Sequence, residues 1–397
     1  MSPWPSSLPE FLWGVATSAH QVEGHQPGND WTDWEAAGRT REPSGAAVDE
    51  WHRYPEDLAL FAGLNANAYR FSLEWSRLEP EPHRFADEAF AHYRALMEAA
   101  RSLGLEPLVT LSHFTLPRWL AREGGWLAPG AVGHFTRFAA EVSARFPEVR
   151  LWCTINEPSI LAVMGYMDGV WPPGHRRPGE ARVVLDRQLA AHEAVYPLFK
   201  RVRPDALVGL AHHLIHFRPW RPRVLDRALT AGLDRLFNER PLRRLLATQD
   251  YLGVNYYSCR WADWTRPLNP RVARPDAALT DSGWEEDPEG LALLLTRLRR
   301  WQRPILVTEN GIATDDEERR GRFLRRHVAA VAAARAAGAD VRGYFYWSGI
   351  DNFEWVEGYR PHFGLYGVGP DGTRVKKGGA TVFQQLARQG PPRVSAP

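Results

Sequence analysis

Short apolar segments alternate with longer amphipathic segments along the whole chain. Eight apolar segments have the length of buried strands, at residues 11–16, 68–72, 107–111, 151–155, 207–210, 251–255, 305–308 and 342–347. Helical patterns lie between them, at residues 87–103, 130–146, 182–202, 224–246, 288–300, 315–337 and 380–388. Strands of a parallel sheet are apolar throughout because both faces of the sheet are covered. The alternation therefore predicts an α/β protein in which residues 1–397 form a single domain, one (β/α)8 TIM barrel.

Polar side chains collect where the predicted strands end, which is the edge of a (β/α)8 barrel that carries its active site. The fourth strand runs into Asn156 and Glu157, and the seventh runs into Glu309. The same edge receives further candidate side chains from other strand ends, namely Gln21, His113, Asn255, Tyr257, Glu354 and Trp355. Two carboxyl groups on one rim suit the cleavage of a glycosidic bond. One can protonate the leaving oxygen while the other attacks carbon or activates water.

The composition of the 397 residues narrows the class of protein further. With 44% hydrophobic and 24% charged residues, the chain has the makeup of a globular protein. Its 49 basic and 47 acidic residues leave a net charge of +2, which argues against a nucleic-acid partner. No apolar segment is long enough to span a membrane, and the first residues lack the pattern of a signal peptide. Two cysteines are too few for a disulfide scaffold, so we expect a cytoplasmic protein.

Seven motifs, some of them in two parts, extend the pattern of strand ends over nearly the whole chain. In chain order they are FLWG at 11–14 with SAHQVEG at 18–24, YRFS at 69–72 with WSR at 75–77, HFTLP at 113–117, NEP at 156–158, NYY at 255–257, TENG at 308–311, and DNFEW at 351–355 with EGY at 357–359. In this order the motifs resemble those of glycoside hydrolase family 1, the β-glucosidase and β-glycosidase family. The chain departs from the common family pattern at Phe114 and Thr115, and at His20, where the family usually has tyrosine.

The resemblance implies a retaining β-glycosidase, and in the first place a β-glucosidase, that removes non-reducing terminal β-linked sugars through a covalent glycosyl-enzyme. It implies that Glu157 is the acid/base and that Glu309 is the nucleophile. Arg70 and Asn255 would support the nucleophile, and Tyr257 would bond to its carboxylate within the substrate pocket. The remaining sugar-binding residues implied are Asn156 for the 2-hydroxyl, Gln21, His113, Glu354 and Trp355 for the 3-, 4- and 6-hydroxyls, and Trp347 beneath the ring. The expected partner is a small β-glycoside or a short oligosaccharide.

Electrostatics gives these roles a physical basis. Beside Arg70 and Tyr257, Glu309 is expected to keep a low pKa, while Glu157 beside an ionised Glu309 is expected to have a raised pKa and to wait protonated. Retention of configuration requires the two carboxyl groups to lie about 5–5.5 Å apart. Once the sugar esterifies Glu309, its charge is gone, and Glu157 can then act as a base toward water.

Three alternative functions share this framework. The protein could mainly transfer the sugar to another alcohol, or it could be a non-catalytic sugar-binding relative, although such relatives lose one of the two glutamates. It could also hydrolyse 6-phosphosugars. Against this last alternative, Glu354 is expected to be ionised, and a like-charge pair about 4 Å apart costs about 4 kcal/mol at an effective dielectric of 20.

Two further patterns have competing interpretations. The spacing of Gly367, Gly369 and Gly372 matches a dinucleotide-binding fingerprint, but no helical pattern follows it, so we predict a surface hairpin there. His212, His213 and His216 follow the fifth strand and could bind a metal. Their spacing fits no zinc signature, and glycosidic cleavage by two carboxyl groups needs no metal, so we expect neither metal nor cofactor.

Overall fold

The computed structural model describes residues 4–26, 28–267 and 269–394. In chain order, its strands are β1 (Leu12–Ala16), β2 (Ala68–Ser72), β3 (Glu106–Ser112), β4 (Leu151–Asn156), β5 (Leu207–His213), β6 (His216–Pro219), β7 (Leu252–Asn255), β8 (Cys259–Ala262), β9 (Ile305–Asn310), β10 (Val341–Trp347), β11 (Tyr366–Val368) and β12 (Arg374–Lys376). Within the described residues, eight of these strands close into a parallel barrel, in the order β1-β10-β9-β7-β5-β4-β3-β2. The barrel predicted from the alternation of segments is confirmed, and each of the eight predicted segments forms one of its strands.

The barrel strands bury nearly all of their residues, as their apolar sequences require. One cluster of buried side chains comes from the barrel strands themselves and includes Leu12, Leu108, Leu151, Leu207 and Phe345. A larger cluster joins the alternate strand positions to the surrounding helices. This division follows from the strand period of two residues, which sends neighbouring side chains to opposite faces. A Cβ atom on Gly14 would lie 2.2 Å from the Phe345 ring, so the glycine in β1 makes room for that ring.

Helices connect the strands and form the outer layer. They are α1 (Ala19–Val22), α2 (Asp30–Ala36), α3 (Glu50–Ala62), α4 (Trp75–Leu78), α5 (Asp87–Ser102), α6 (Arg118–Arg122), α7 (Ala131–Arg145), α8 (Pro158–Leu161), α9 (Pro178–Val202), α10 (Val224–Asp234), α11 (Arg240–Arg244), α12 (Pro288–Leu298), α13 (Glu317–Ala336) and α14 (Gly378–Arg388). Helix α13 begins with the acidic residues Glu317 and Glu318, which suit the positive end of the helix dipole. There the Asp316 side chain accepts a hydrogen bond of 2.8 Å from the backbone N–H of Arg319.

The structure divides one of the predicted helices. The pattern at 224–246 is a single helix in sequence, but α10 and α11 are separated by a π-helical turn over Arg235–Glu239. Pro241 has no backbone N–H and its ring crowds the carbonyl four residues earlier, so the regular pattern of helical hydrogen bonds is disturbed at this point. The wider π turn just before the proline accommodates this conflict.

The structure also contains two small sheets and a helix that lie outside the barrel sheet. Strands β6 and β8 pair with each other beyond the ends of β5 and β7, and this pairing was not predicted. Helix α3, also not predicted, contains Pro55 and has a largely polar surface. Strands β11 and β12 form an antiparallel pair around Gly369 and Gly372, which confirms the predicted hairpin. Among the helices of the described residues, none is long and apolar enough to cross a membrane.

Candidate active site

The two glutamates predicted at the barrel rim lie on strands that the barrel brings together. Glu309 belongs to β9 and is in register with Asn255 of the neighbouring β7. Glu157 follows β4 directly, and its backbone N–H donates a hydrogen bond of 2.8 Å to the carbonyl of Ala211 in β5. Both side chains are buried, with relative exposures of 5% for Glu309 and 7% for Glu157. The carboxyl groups therefore face the same enclosed end of the barrel.

A cation and a phenol hold the Glu309 carboxylate. Arg70 of β2 is fully buried, and its guanidinium forms an ion pair with Glu309 Oε1. The same guanidinium donates a hydrogen bond of 3.0 Å to the Thr308 carbonyl, which fixes its orientation. On the other side, the Tyr257 hydroxyl donates a hydrogen bond of 2.6 Å to Glu309 Oε2. Both oxygens of the carboxylate are thus engaged by donors.

The electrostatic balance at Glu309 differs from the one expected from sequence. Burial raises the pKa of Glu309 above its ordinary value, and the neighbouring Glu157 raises it further, while Arg70 and Tyr257 lower it. The expectation of a low pKa was wrong because it counted the partners of Glu309 but not its loss of hydration on burial. Burial also raises the pKa of Tyr257 well above its ordinary value. Tyr257 therefore remains a hydrogen-bond donor.

Two nitrogen groups hold the Glu157 carboxyl. Asn255 Nδ2 lies 2.8 Å from Glu157 Oε1, and His213 Nδ1 lies 2.9 Å from the same oxygen. Glu157 adopts a left-handed backbone conformation, with φ of 44°, at the sharp turn from β4 into α8. Sequence reasoning considered His213 only as a metal ligand. Its place at the end of β5, beside β4, was the signal that could have connected it with Glu157.

A chain of side-chain contacts fixes which way the two asparagine amides point. Arg70 can only donate, and its Nη2 lies 2.6 Å from Asn156 Oδ1, so that atom is the acceptor. The atom of Asn255 that lies 3.0 Å from the same oxygen must then be the amide nitrogen. The Thr308 hydroxyl completes this arrangement by donating a 2.6 Å hydrogen bond to Asn255 Oδ1. The Asn255 amide consequently presents N–H groups to both Asn156 and Glu157, so among the described contacts its side chain bonds to Glu157 and not, as expected, to Glu309.

The same reasoning assigns the protonation state of His113. Asn156 Nδ2 lies 3.2 Å from His113 Nε2, which must accept that hydrogen bond. The ring proton of His113 is therefore on Nδ1, a buried atom without a hydrogen-bond partner in the described residues. Burial and the nearby charge of Arg70 lower the pKa of His113 well below its ordinary value, so the ring is neutral. A buried N–H donor without a partner is suited to a ligand oxygen such as a sugar hydroxyl.

Gln21, Trp347 and Glu354 meet where β1 and β10 reach the rim, next to strand β9 with Glu309. Trp347 Nε1 donates a hydrogen bond of 3.2 Å to Glu354 Oε1, and the peptide bond after Trp347 is cis. Gln21 Nε2 donates to the carbonyl of Phe353 at 2.8 Å. A Cβ atom on Gly311 would lie 1.8 Å from the Trp347 carbonyl, so only glycine permits this close approach of β9 and β10.

The charge expected on Glu354 needs correction. Burial raises the pKa of Glu354 well above its ordinary value, the charge of Glu309 adds to this, and the hydrogen bond from Trp347 opposes it. The sequence predicted an ionised side chain at neutral pH, but the buried position favours the neutral carboxyl form. A hydrogen-bonded neutral carboxyl can donate as well as accept, which a carboxylate cannot.

Trp355 lies within a group of aromatic rings and is itself almost fully buried. His20 stacks on the Trp355 ring with a centroid distance of 5.6 Å and an interplanar angle of 6°. His20 Nε2 lies 2.8 Å from Glu35 Oε1, so the residue that departs from the family pattern has a defined partner. Trp171 and Phe114 also contact Trp355, at 5.8 and 5.4 Å between ring centroids.

The three histidines after the fifth strand do not converge on one point. His212 Nε2 lies 3.0 Å from Gln249 Oε1, His213 contacts Glu157, and His216 Nδ1 lies 2.6 Å from Asp287 Oδ2. Across residues 4–26, 28–267 and 269–394, no group of three or more His, Cys, Asp or Glu side chains has the arrangement of a metal site.

Comparisons with known proteins agree on the kind of molecule that has this site. The family model described as "Glycosyl hydrolase family 1" matches residues 5–238 and 227–391. Coniferin β-glucosidase of Pinus contorta is 30% identical over 95% of this chain and 91% of its own length. β-Glucosidase A of Thermotoga maritima is 29% identical over 89% of this chain and 91% of its own length.

Solved structures that resemble this chain are also glycosidases. A β-glycosidase from Pyrococcus horikoshii superposes with a TM-score of 0.92 and 35% identity, covering 99% of this chain and 96% of its own. The β-glucosidase of Thermotoga maritima in complex with glucoimidazole superposes with a TM-score of 0.90 and 26% identity, covering 97% of this chain and 98% of its own.

Proposed function

The chain belongs to glycosyl hydrolase family 1 and is a glycoside hydrolase of the β-glucosidase type, and on this premise we propose that it is a retaining β-glucosidase. It would hydrolyse the non-reducing terminal sugar of small β-glucosides and short oligosaccharides in two displacements. The observation that carries the proposal is the asymmetry of the two buried carboxyl groups. A cation and a phenol hold Glu309, whereas an amide and an imidazole hold Glu157.

In the first step, Glu309 attacks the anomeric carbon as a carboxylate. A carbon–oxygen bond forms to Glu309 while the bond to the leaving oxygen breaks, and Glu157 gives its proton to that oxygen. The contacts from Arg70 and Tyr257 favour the ionised form of Glu309, against the burial that raises its pKa. These two partners therefore oppose the effect of burial and favour the carboxylate that attacks the sugar.

In the second step, water attacks the same carbon and the bond to Glu309 breaks. The esterified Glu309 no longer carries a charge, so the site contains one negative group less and Glu157 can accept the proton of the water. The Glu309 carboxylate is regenerated with Arg70 and Tyr257 in place. One change of charge at Glu309 thus converts Glu157 from acid to base.

The other rim residues would hold the sugar. Asn156 would bond to the 2-hydroxyl, a contact that strengthens in the oxocarbenium-like transition state. His113 would donate its free Nδ1–H to a ring hydroxyl. The 3-, 4- and 6-hydroxyls would also contact Gln21, Glu354 and Trp355, and the indole of Trp347 would lie beneath the ring. Arg70 and Asn255 would serve the two glutamates rather than the sugar.

Two broader features complete the proposal. Residues 1–397 would form one catalytic domain, which is supported by family-model matches that overlap and extend from residue 5 to residue 391. The cytoplasm is the proposed location, since both cysteines are free and buried, as is common in a reducing compartment.

The test of this function is the stereochemistry of hydrolysis of a nitrophenyl β-glucoside, followed by proton NMR from the first minutes. We expect the β-anomer of glucose to appear first, with no such product from the Glu309→Gly variant as the matched control. First appearance of the α-anomer would refute the two-displacement mechanism. Turnover of other nitrophenyl β-glycosides but not of the glucoside would refute the sugar assignment alone.

A further inference from the structure

Among the described residues, His213 is the one titratable hydrogen-bond partner of Glu157 that the predicted chemistry did not include. It ends β5, the strand that also accepts the backbone N–H of Glu157 through Ala211. Its side chain is 14% exposed, and its Nδ1 lies 2.9 Å from Glu157 Oε1. One strand therefore holds both the backbone and the side chain of Glu157.

Aromatic packing fixes the plane of the His213 ring. The ring stacks on Tyr257 at 5.9 Å between centroids and 19° between planes. Phe237 meets its edge at 6.4 Å and 90°. The imidazole is thus oriented by two neighbours that do not hydrogen-bond to it, and its Nδ1 is directed at Glu157.

The contacts of Glu157 distinguish its two oxygens. Oε1 receives an N–H of Asn255, whose orientation is fixed through Asn156 and Arg70, and it also contacts His213. Oε2 has no hydrogen-bond partner among residues 4–26, 28–267 and 269–394. A proton held on Oε1 would point at Asn255 and His213 instead of at a leaving group. A proton on Oε2 would be free to reach the leaving group, because no described residue forms a hydrogen bond with that oxygen.

We propose that His213 is a positioning residue that donates its Nδ1–H to Glu157 Oε1, keeps that oxygen unprotonated and so makes Oε2 the oxygen that gives and takes the catalytic proton. This proposal rests on the proposed function, because it concerns the acid/base of that reaction. No atom of His213 reacts. The residue acts by fixing the orientation of Glu157 in both displacements.

Two substitutions separate the hydrogen bond from the ring. His213→Phe keeps an aromatic ring against Tyr257 but removes the donor, whereas His213→Asn keeps an amide donor in the place of Nδ1 but removes the ring. Wild type and both variants would be assayed with cellobiose, whose leaving group needs a proton, and with dinitrophenyl β-glucoside, whose leaving group does not.

We expect His213→Phe to lower kcat/KM for cellobiose by about ten- to a hundredfold, because Glu157 becomes a carboxylate as it gives up its proton and the lost hydrogen bond is then one to a charged group. Its kcat/KM for dinitrophenyl β-glucoside should fall by less than about threefold, and His213→Asn should recover most of the activity on cellobiose. A merely structural role would lower both activities together. Equal losses on the two substrates, or no recovery in His213→Asn, would overturn the proposal.

The neighbouring histidine provides the matched control. His212 is buried and bonds to Gln249 instead of Glu157. His212→Asn should leave the ratio of the two kcat/KM values at its wild-type value, even if the melting temperature falls. If His212→Asn also changed the ratio of the two kcat/KM values, any disturbance at the end of β5 would produce the effect, and a specific role of His213 would be contradicted.

A second measurement does not depend on activity and distinguishes this proposal from the proposed function. Long-range proton–nitrogen NMR of the histidine-labelled protein, with His213→Phe to assign the signal, reports which ring nitrogen carries the proton. We expect the proton on Nδ1 of His213. A proton on Nε2, with Nδ1 accepting from Glu157, would overturn the proposal even in a protein with the proposed activity. Absence of glycoside hydrolysis together with a proton on Nδ1 would instead refute the function.

Discussion

Replacing Tyr257 with phenylalanine removes the only oxygen of its side chain and leaves its ring in place. That oxygen donates the 2.6 Å hydrogen bond to Glu309 Oε2, and this bond lowers the pKa of Glu309 against the effect of burial. The ring contacts to His213 and Trp284, at 5.9 and 5.4 Å between centroids, do not involve the hydroxyl. The substitution therefore changes the electrostatics of the proposed nucleophile with little change in packing.

The size of the effect follows from the charge on the acceptor. A hydrogen bond to a charged group contributes about 1.5–3 kcal/mol, and about 1.4 kcal/mol corresponds to one pKa unit. The Tyr257 hydroxyl favours the carboxylate of Glu309, so its loss should raise the pKa of Glu309 by a further one to two units or so. Glu309 acts as a carboxylate, and activity is lost as pH falls through its pKa. The acidic limb of kcat/KM should therefore move to higher pH by the same amount.

The assay is kcat/KM for a nitrophenyl β-glucoside across the pH range in which the folded protein is stable. Tyr256→Phe is the matched control, because the Tyr256 hydroxyl is also buried and donates to Asp287, at 3.0 Å from Oδ2, away from Glu309. We expect this control to lower the melting temperature and to leave the acidic limb in place. If the limb stays in place in Tyr257→Phe while the protein remains folded, the Tyr257 contact does not govern the ionisation of Glu309.

Three further predictions concern the acid/base and the 6-position. Glu157→Ala should lower kcat/KM for cellobiose by about 10²–10⁴ but should hardly change kcat/KM for dinitrophenyl β-glucoside. Added azide should then yield the β-glycosyl azide, whereas with Glu309→Gly it should yield the α-glycosyl azide. Equal losses on both substrates in Glu157→Ala would contradict the acid role. Glu354→Ser should lower kcat/KM for the nitrophenyl glucoside by about ten- to a hundredfold. The control is Glu357→Ser, which should leave this value unchanged, since the Glu357 side chain is 55% exposed. Wild type should prefer the glucoside to its 6-phosphate, because no cation is among the described groups that shift the pKa of Glu354 and a phosphate buried beside it would lose its hydration without an opposite charge. Preference for the phosphate would refute the assignment of Glu354.

The corrected protonation of Glu354 changes the reason for that last expectation. A neutral carboxyl does not repel a phosphate as a carboxylate does, so direct repulsion in the empty site is not the main barrier. The barrier is the loss of hydration of a doubly charged group in a site whose nearby charges include Glu309. Glu354→Gln tests this distinction, because the amide preserves a neutral, hydrogen-bonding side chain and should retain more glucoside activity than Glu354→Ser.

The sequence by itself determined the barrel and the position of its two carboxyl groups. Each strand is short and apolar throughout, because in a closed parallel barrel helices cover one face and the strands' own side chains fill the other. The residue that follows such a strand must lie at the rim. Glu157 and Glu309 were therefore placed at one edge without knowledge of any contact, although 152 residues separate them in the chain.

Tertiary structure decided the features that depend on pairs of distant residues. The β6–β8 sheet forms only because the ends of β5 and β7 are neighbours in the barrel, and the strands themselves are too short to be recognised by periodicity. The partnership of His213 with Glu157 has the same origin, since β4 and β5 lie side by side. The local sequence could show a cluster of histidines but not the direction in which each one points.

The ionisation of the buried groups also required the tertiary structure. Motifs identify the partners of Glu309 and Glu354, but the pKa of a buried carboxyl depends on how much water it has lost as well as on its neighbours. Both side chains lie deep enough for burial to raise their pKa against those partners. The physical reason is that chain order fixes which groups occur at a strand end, whereas hydration is a property of the complete enclosure around them.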